Sequence, residues 1–99
     1  MEIGTNKLES KVSISLAGRM DTIHAAEFQK VVDELSDEDA GRTMVDCANL
    51  EYVSSSGLRA FISLLKRAQK IGGKVELLHL NSNVKEVFDM TGFSPLFGL

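Results

Sequence analysis

The side chains best suited to chemistry in this 99-residue chain sit together: Ser54, Ser55 and Ser56, followed by Gly57, Leu58 and Arg59. A serine hydroxyl can cap a helix, act as a nucleophile or accept a phosphoryl group. As an N-cap it accepts a hydrogen bond from an N–H that the first turn leaves unpaired. One serine suffices for that. The remaining hydroxyls then lie at the positive end of a helix, where a negative group such as phosphate is favoured. The plain reading is a polar turn with a cap. A nucleophilic reading needs a base, and the only histidines are His24 and His79. A serine hydrolase would place one of them beside the serines, oriented by an acid such as Asp46. The cluster lacks the Gly-x-Ser-x-Gly elbow, and no catalytic residue is assigned. Scattered acids and two histidines fall short of a metal site. There is no Walker or Rossmann phosphate loop, so no cofactor is expected. His24 reads as a surface residue, His79 as a strand-end residue with a backbone partner, and Cys47 as a small buried apolar group.

The elements around the cluster follow from periodicity. Residues 2–8 alternate weakly and read as an edge strand. Lys11–Ala17 alternates strictly, with Val12, Ile14 and Leu16 on one face, and completes an N-terminal hairpin that Gly18 breaks. Asp21 or Thr22 caps a first helix carrying Ala25, Ala26, Phe28, Val31, Val32 and Leu35, which ends near Ser36. Asp37-Glu38-Asp39 would oppose the dipole of that helix's last turn and reads as a solvated loop closed by Gly41. Thr43–Cys47 resembles a strand covered on both faces. Asn49–Val53 leads into the serines. Leu58, Phe61, Ile62, Leu64, Leu65, Ala68 and Ile71 give the next helix, Ser56–Ile71, a broad apolar face, and Gly72-Gly73 stops it. Lys74–Leu80 is a further strand. Asn81-Ser82-Asn83 offers three caps for a last helix, with Asn83 and Glu86 at capping-box spacing. Gly92 and Pro95 end that helix, and Phe93, Leu96, Phe97 and Leu99 dock on the core. The order β-β-α-β-α-β-α predicts an α/β fold with a mixed sheet of four to five strands and helices mainly on one face.

Length and composition bound the rest. Ninety-nine residues make one domain, 1–99. Apolar content of 43% and charged content of 25% are those of an ordinary globular protein. The net charge of −3 argues against a nucleic-acid binder. Its distribution is uneven: residues 1–50 carry −5 and residues 51–99 carry +2. The lone Cys47 forms no intramolecular disulfide. The N-terminus has no signal-peptide pattern, and no apolar run is long enough to span a bilayer, so a cytoplasmic protein without direct membrane insertion is expected.

Three segments resemble one family in order and spacing. Val45-Asp46-Cys47-Ala48-Asn49-Leu50-Glu51-Tyr52-Val53-Ser54-Ser55-Ser56-Gly57-Leu58 is similar to the signature of STAS domains, the fold of bacterial anti-sigma factor antagonists. Leu16-Ala17-Gly18-Arg19-Met20-Asp21 matches the strand end that opens helix one. Val84-Lys85-Glu86-Val87-Phe88-Asp89-Met90-Thr91-Gly92-Phe93 matches the last helix. The resemblance covers about residues 3–98. It implies partner switching: an unphosphorylated antagonist binds an anti-sigma factor that is also a serine kinase, phosphorylation ends the interaction, and a serine phosphatase reverses it. The family motif, Asp-Ser-Ser-Gly, puts Ser54 at the aspartate, Ser55 at the phosphoacceptor and Ser56 at the second serine, with Ser54 and Ser56 as less favoured acceptors. Asp21, Ser54, Ser55, Ser56, Gly57 and Arg59 form the implied partner-binding surface. This chain departs from the motif at Ser54, which lacks the family carboxylate; a phosphate on Ser55 would meet less repulsion beside it. The alternative reading is a constitutive STAS subunit, on a lipid ABC transporter or in a signalling scaffold, without phosphorylation. A small-molecule sensor has no supporting residue pattern.

Overall fold

The computed structural model describes residues 1–99. The elements are β1 (Glu2–Lys7), β2 (Val12–Met20), α1 (Thr22–Glu34), α2 (Asp37–Ala40), β3 (Arg42–Val53), α3 (Ser55–Lys70), β4 (Lys74–Leu78), α4 (Ser82–Met90) and a 3₁₀ turn, Ser94–Phe97. The four strands form one sheet in sequence order. β1 pairs antiparallel with β2, while β2–β3 and β3–β4 are parallel. The mixed sheet and its strand count agree with the sequence reading.

Alternation along the strands selects one face for burial. Ile14, Val45 and Leu77 lie in register across β2, β3 and β4, and all three are buried. Helices cover that face. Phe61 of α3 stands at the centre of the layer, with Phe28 of α1 at 4.9 Å, Phe88 of α4 at 5.5 Å and Phe97 of the 3₁₀ turn at 6.5 Å between ring centroids. The tilted and edge-on geometry is the one aromatic quadrupoles favour. Arg67 then ties α3 to the end of α1, donating to the carbonyls of Val32 (2.6 Å) and Leu35 (2.7 Å). The Val32 carbonyl also accepts the Leu35 N–H at 3.1 Å, and both acceptors lie at a helix terminus, where the intrahelical ladder runs out. Cys47 is fully buried, and its thiol is pushed up to about 12 chiefly by burial and then by the Asp46 charge.

Several boundaries differ from the sequence reading. β2 runs through Gly18 to Met20: the glycine adopts φ +103°, a conformation open to it for lack of a Cβ, and the strand takes a register shift beside it instead of ending. Asp37–Ala40 is a short helix, not a loop. Ser36 caps it by accepting from the Asp39 N–H at 3.1 Å, so the acids oppose no C-terminal dipole and instead favour the N-terminus of a new helix. β3 is one continuous 12-residue strand, covered on one face only; Met44 and Asp46 on the other face are half-buried. β4 ends at Leu78, before His79 at φ +60°. Of the three caps offered for α4, Asn81 is the one used: its side chain accepts from the Val84 N–H at 2.8 Å. Phe97 docks on the core and Phe93 is half-buried, but Leu96 within the 3₁₀ turn and Leu99 beyond it stay exposed. Ala26 likewise faces solvent from α1.

Phe61→Ala removes the ring that all three longer helices share. It is expected to lower the free energy of unfolding by about 3–5 kcal/mol, read as the midpoint shift in a urea titration at unchanged m-value.

Candidate functional site

The serines lie where the carboxyl ends of two parallel strands meet. Met20 of β2 pairs with Val53 of β3. One residue on, the Ser54 N–H donates to the Met20 carbonyl at 2.8 Å. The N-termini of α1 and α3 are thereby set side by side, and the expected Asp21 and serine region becomes one surface patch.

Each cap is made by the residue at the turn. Asp21 caps α1, accepting from the His24 N–H at 2.9 Å. That backbone donor is the main cause holding the Asp21 carboxyl below its ordinary range, with the charge of His24 assisting. The His24 ring nitrogen Nδ1 lies 2.8 Å from Asp21 Oδ1, without hydrogen-bond alignment. Ser54 caps α3: its hydroxyl accepts from the Gly57 N–H at 3.2 Å, and its carbonyl accepts from the Leu58 N–H at 3.0 Å. Helix α3 thus starts at Ser55, one residue earlier than its periodicity suggests.

The three hydroxyls are therefore not equivalent. Ser54 is buried, Ser56 is half-buried and Ser55 is exposed on the first helical residue. Gly57 is buried, and a Cβ there would come within 2.7 Å of the Met20 sulfur and 2.9 Å of a Val53 methyl. Its lack of a side chain lets α3 approach the strand ends. Arg59, one turn on, is exposed.

A groove of about 640 Å³ runs from Ser55 along the outer face of α3. Leu58, Ile62 and Phe93 supply apolar walls, while Arg59 and Lys66 supply positive charge. Beside Arg59 the groove brings in Ile62, Lys66 and Phe93, none of them among the site residues expected above. The spacing of Ser55, Arg59, Ile62 and Lys66, four then three then four, marks a single helical stripe and was available in the sequence. Phe93 was not, because it arrives from the far end of the chain.

The histidines occupy different places. His79 binds a side chain rather than backbone: its Nδ1 lies 3.0 Å from Asp46 Oδ1, and this hydrogen bond is the main cause lowering the Asp46 carboxyl. Asp46 is eight residues up β3 from Ser54, roughly 25 Å at the rise of a strand. The acid the hydrolase reading would use is thus spent on His79, far from the serines. No helix is long and apolar enough to cross a membrane.

A mixed sheet with helices on one face, and an exposed serine at the start of the helix that follows its central parallel strand, defines a small α/β domain of the STAS type. A family model described as the STAS domain matches residues 3–99, and the chain belongs to this family. BtrV of Bordetella bronchiseptica is 27% identical over 97 residues, covering 98% of this chain and 84% of that protein. The anti-sigma-B factor antagonist of Bacillus subtilis is 22% identical over 99 residues, covering all of this chain and 90% of that one. Among solved structures, the anti-sigma factor antagonist SpoIIAA in its unphosphorylated form superposes with a TM-score of 0.82 at 18% identity, over 96% of this chain and 84% of that one. This likeness extends to the fold.

Ser54→Ala is expected to cost about 1 kcal/mol of stability by removing the α3 cap, whereas Ser54→Asp keeps a capping acceptor and stays within a few tenths of wild type. Chemical denaturation of the two variants side by side reads the difference.

Proposed function

We propose that this chain is an anti-sigma factor antagonist. It binds an anti-sigma factor serine kinase in the cytoplasm and is released when that kinase transfers the γ-phosphoryl group of ATP to Ser55 Oγ. A serine phosphatase resets it. Membership of the STAS family and relatives that bear the name anti-sigma factor antagonist support the partner class. The observation that carries the choice of residue is the division of labour among the serines. Ser54 is buried and spent on Gly57, while Ser55 is exposed at a helix N-terminus.

The physics of release is electrostatic and steric. Phosphate adds about −1.5 to −2 charge and three acceptor oxygens. At the start of α3, where the first turn contains no acid, the isolated domain tolerates that charge. Packed against a partner, the same group must be desolvated, and it breaks the contact unless the partner supplies bases. The partner surface comprises Asp21, Ser54, Ser55, Ser56, Gly57 and Arg59. The missing carboxylate at position 54 does not deprive the turn of its cap, because the Ser54 hydroxyl fills that role.

Incubation with ATP and an anti-sigma factor serine kinase from the same organism, followed by mass spectrometry of residues 54–56, is expected to find phosphate on Ser55. Ser55→Asp is expected to weaken kinase binding more than about tenfold with an unchanged far-UV spectrum. An unmodified cluster together with undiminished Ser55→Asp binding would sink the switch and favour a constitutive STAS subunit.

A further inference from the structure

We propose that Arg59 captures a phosphate carried by Ser55, forming a clamp across the first turn of α3 that withdraws Arg59 from the groove. The inference rests on the reading of Ser55 as the modified residue.

The two residues are four apart on one helix, so their Cβ atoms are neighbours at about 5–6 Å. Both are exposed, and both line the same groove. The backbone here supplies only part of what a phosphate can accept. Of the N–H groups in the first turn, that of Gly57 is taken by the Ser54 hydroxyl and that of Leu58 by the Ser54 carbonyl. Only those of Ser55 and Ser56 remain. A phosphate on Ser55, with three acceptor oxygens, keeps capacity beyond those two donors for a side-chain base.

Arg59 is the base placed to answer. It has no carboxylate within ion-pair distance, whereas Lys7, Lys11, Arg42, Arg67 and Lys85 each have one. The first turn of α3 contains no acid, and no carboxylate lines the groove. Of the other groove cations, Lys66 is seven residues further along α3. Arg67 is held by the Val32 and Leu35 carbonyls and by Asp37. From α1, the neighbouring charges are Asp21, occupied with the His24 N–H, and His24 itself. A guanidinium can meet two phosphate oxygens at once with parallel N–H donors, which an ammonium cannot do.

The clamp gives the modification a second effect beyond bulk. It neutralises part of the phosphate charge within the chain, and it removes the positive group at the head of the groove from contact with a partner. Groove charge and phosphate state become one variable.

The test uses full-length protein carrying phosphoserine at position 55, installed by genetic-code expansion. ³¹P NMR titration reads the second ionisation of the phosphate, ordinarily near about 6. A guanidinium in contact favours the dianion, so the clamp is expected to lower this value by about half a pH unit. Arg59→Ala should restore most of it, Arg59→Lys should restore part, and Lys66→Ala should leave it lowered. The Arg59 Nε–H resonance should shift on phosphorylation. The clamp is overturned if Arg59→Ala leaves the titration unchanged in a protein with a native spectrum, or if Lys66→Ala moves it equally. Because the phosphate is installed directly, an unmodified Ser55 together with undiminished Ser55→Asp binding would overturn the proposed function and leave this measurement untouched.

Discussion

The structure turns on one aromatic ring. Phe61 projects from α3 onto the sheet and receives Phe28 from α1, Phe88 from α4 and Phe97 from the C-terminal turn. Phe88 and Phe97 also meet edge to face, at 5.5 Å. Elements separated by most of the chain are joined through a single side chain, so the helix layer settles as a unit. A sheet with only one face covered has limited apolar area to bury, and a concentrated aromatic centre compensates for that. It also fixes the axis of α3. Every functional residue on the outer side of that helix inherits its position from the ring on the inner side.

The start of the same helix gives adjacent serines different environments. Ser54 lies inside the turn and holds the helix start, while Ser55 lies outside and carries no structural duty visible in the packing. A covalent change at Ser55 can therefore alter the surface without undoing the cap. Gly57 completes the arrangement by letting the strand ends of β2 and β3 press close beneath the turn. A neutral cap leaves the first turn of α3 free of negative charge. This is the electrostatic setting in which one added phosphate makes the largest relative change.

Much of this was legible in the residues, and the failures have physical reasons. Strict alternation in Val12–Leu16 and the apolar stripe of α3 located a strand and a helix correctly, because both are amphipathic against one core. The acidic run Asp37–Asp39 was misread because charges that would destabilise the end of one helix stabilise the start of the next. The choice depends on Ser36 acting as a cap, a feature one residue wide. Gly18 looked like a strand end, yet a glycine within a strand also marks a bend. Ser54 departs from the family motif in sequence, and only its bond to Gly57 shows that its hydroxyl fills the capping role. The groove was half legible. Its α3 side follows from spacing along one helix, whereas Phe93 reaches it through tertiary packing that no local pattern encodes.

The burial of Cys47 has a consequence for following this protein in solution. Its thiol is the only one in the chain, lies wholly inside the sheet–helix core, and is raised to about 12. The thiolate is the nucleophile that attacks an alkylating reagent, so both access and ionisation protect Cys47 in the closed state. The residue is thus a built-in clock for opening of the core. Its labelling rate reports how often the central strand β3 comes free of the helices, with no need for an introduced probe. Because β3 runs directly into the Ser54 turn, that single thiol counts the excursions in which the serine cluster loses its foundation.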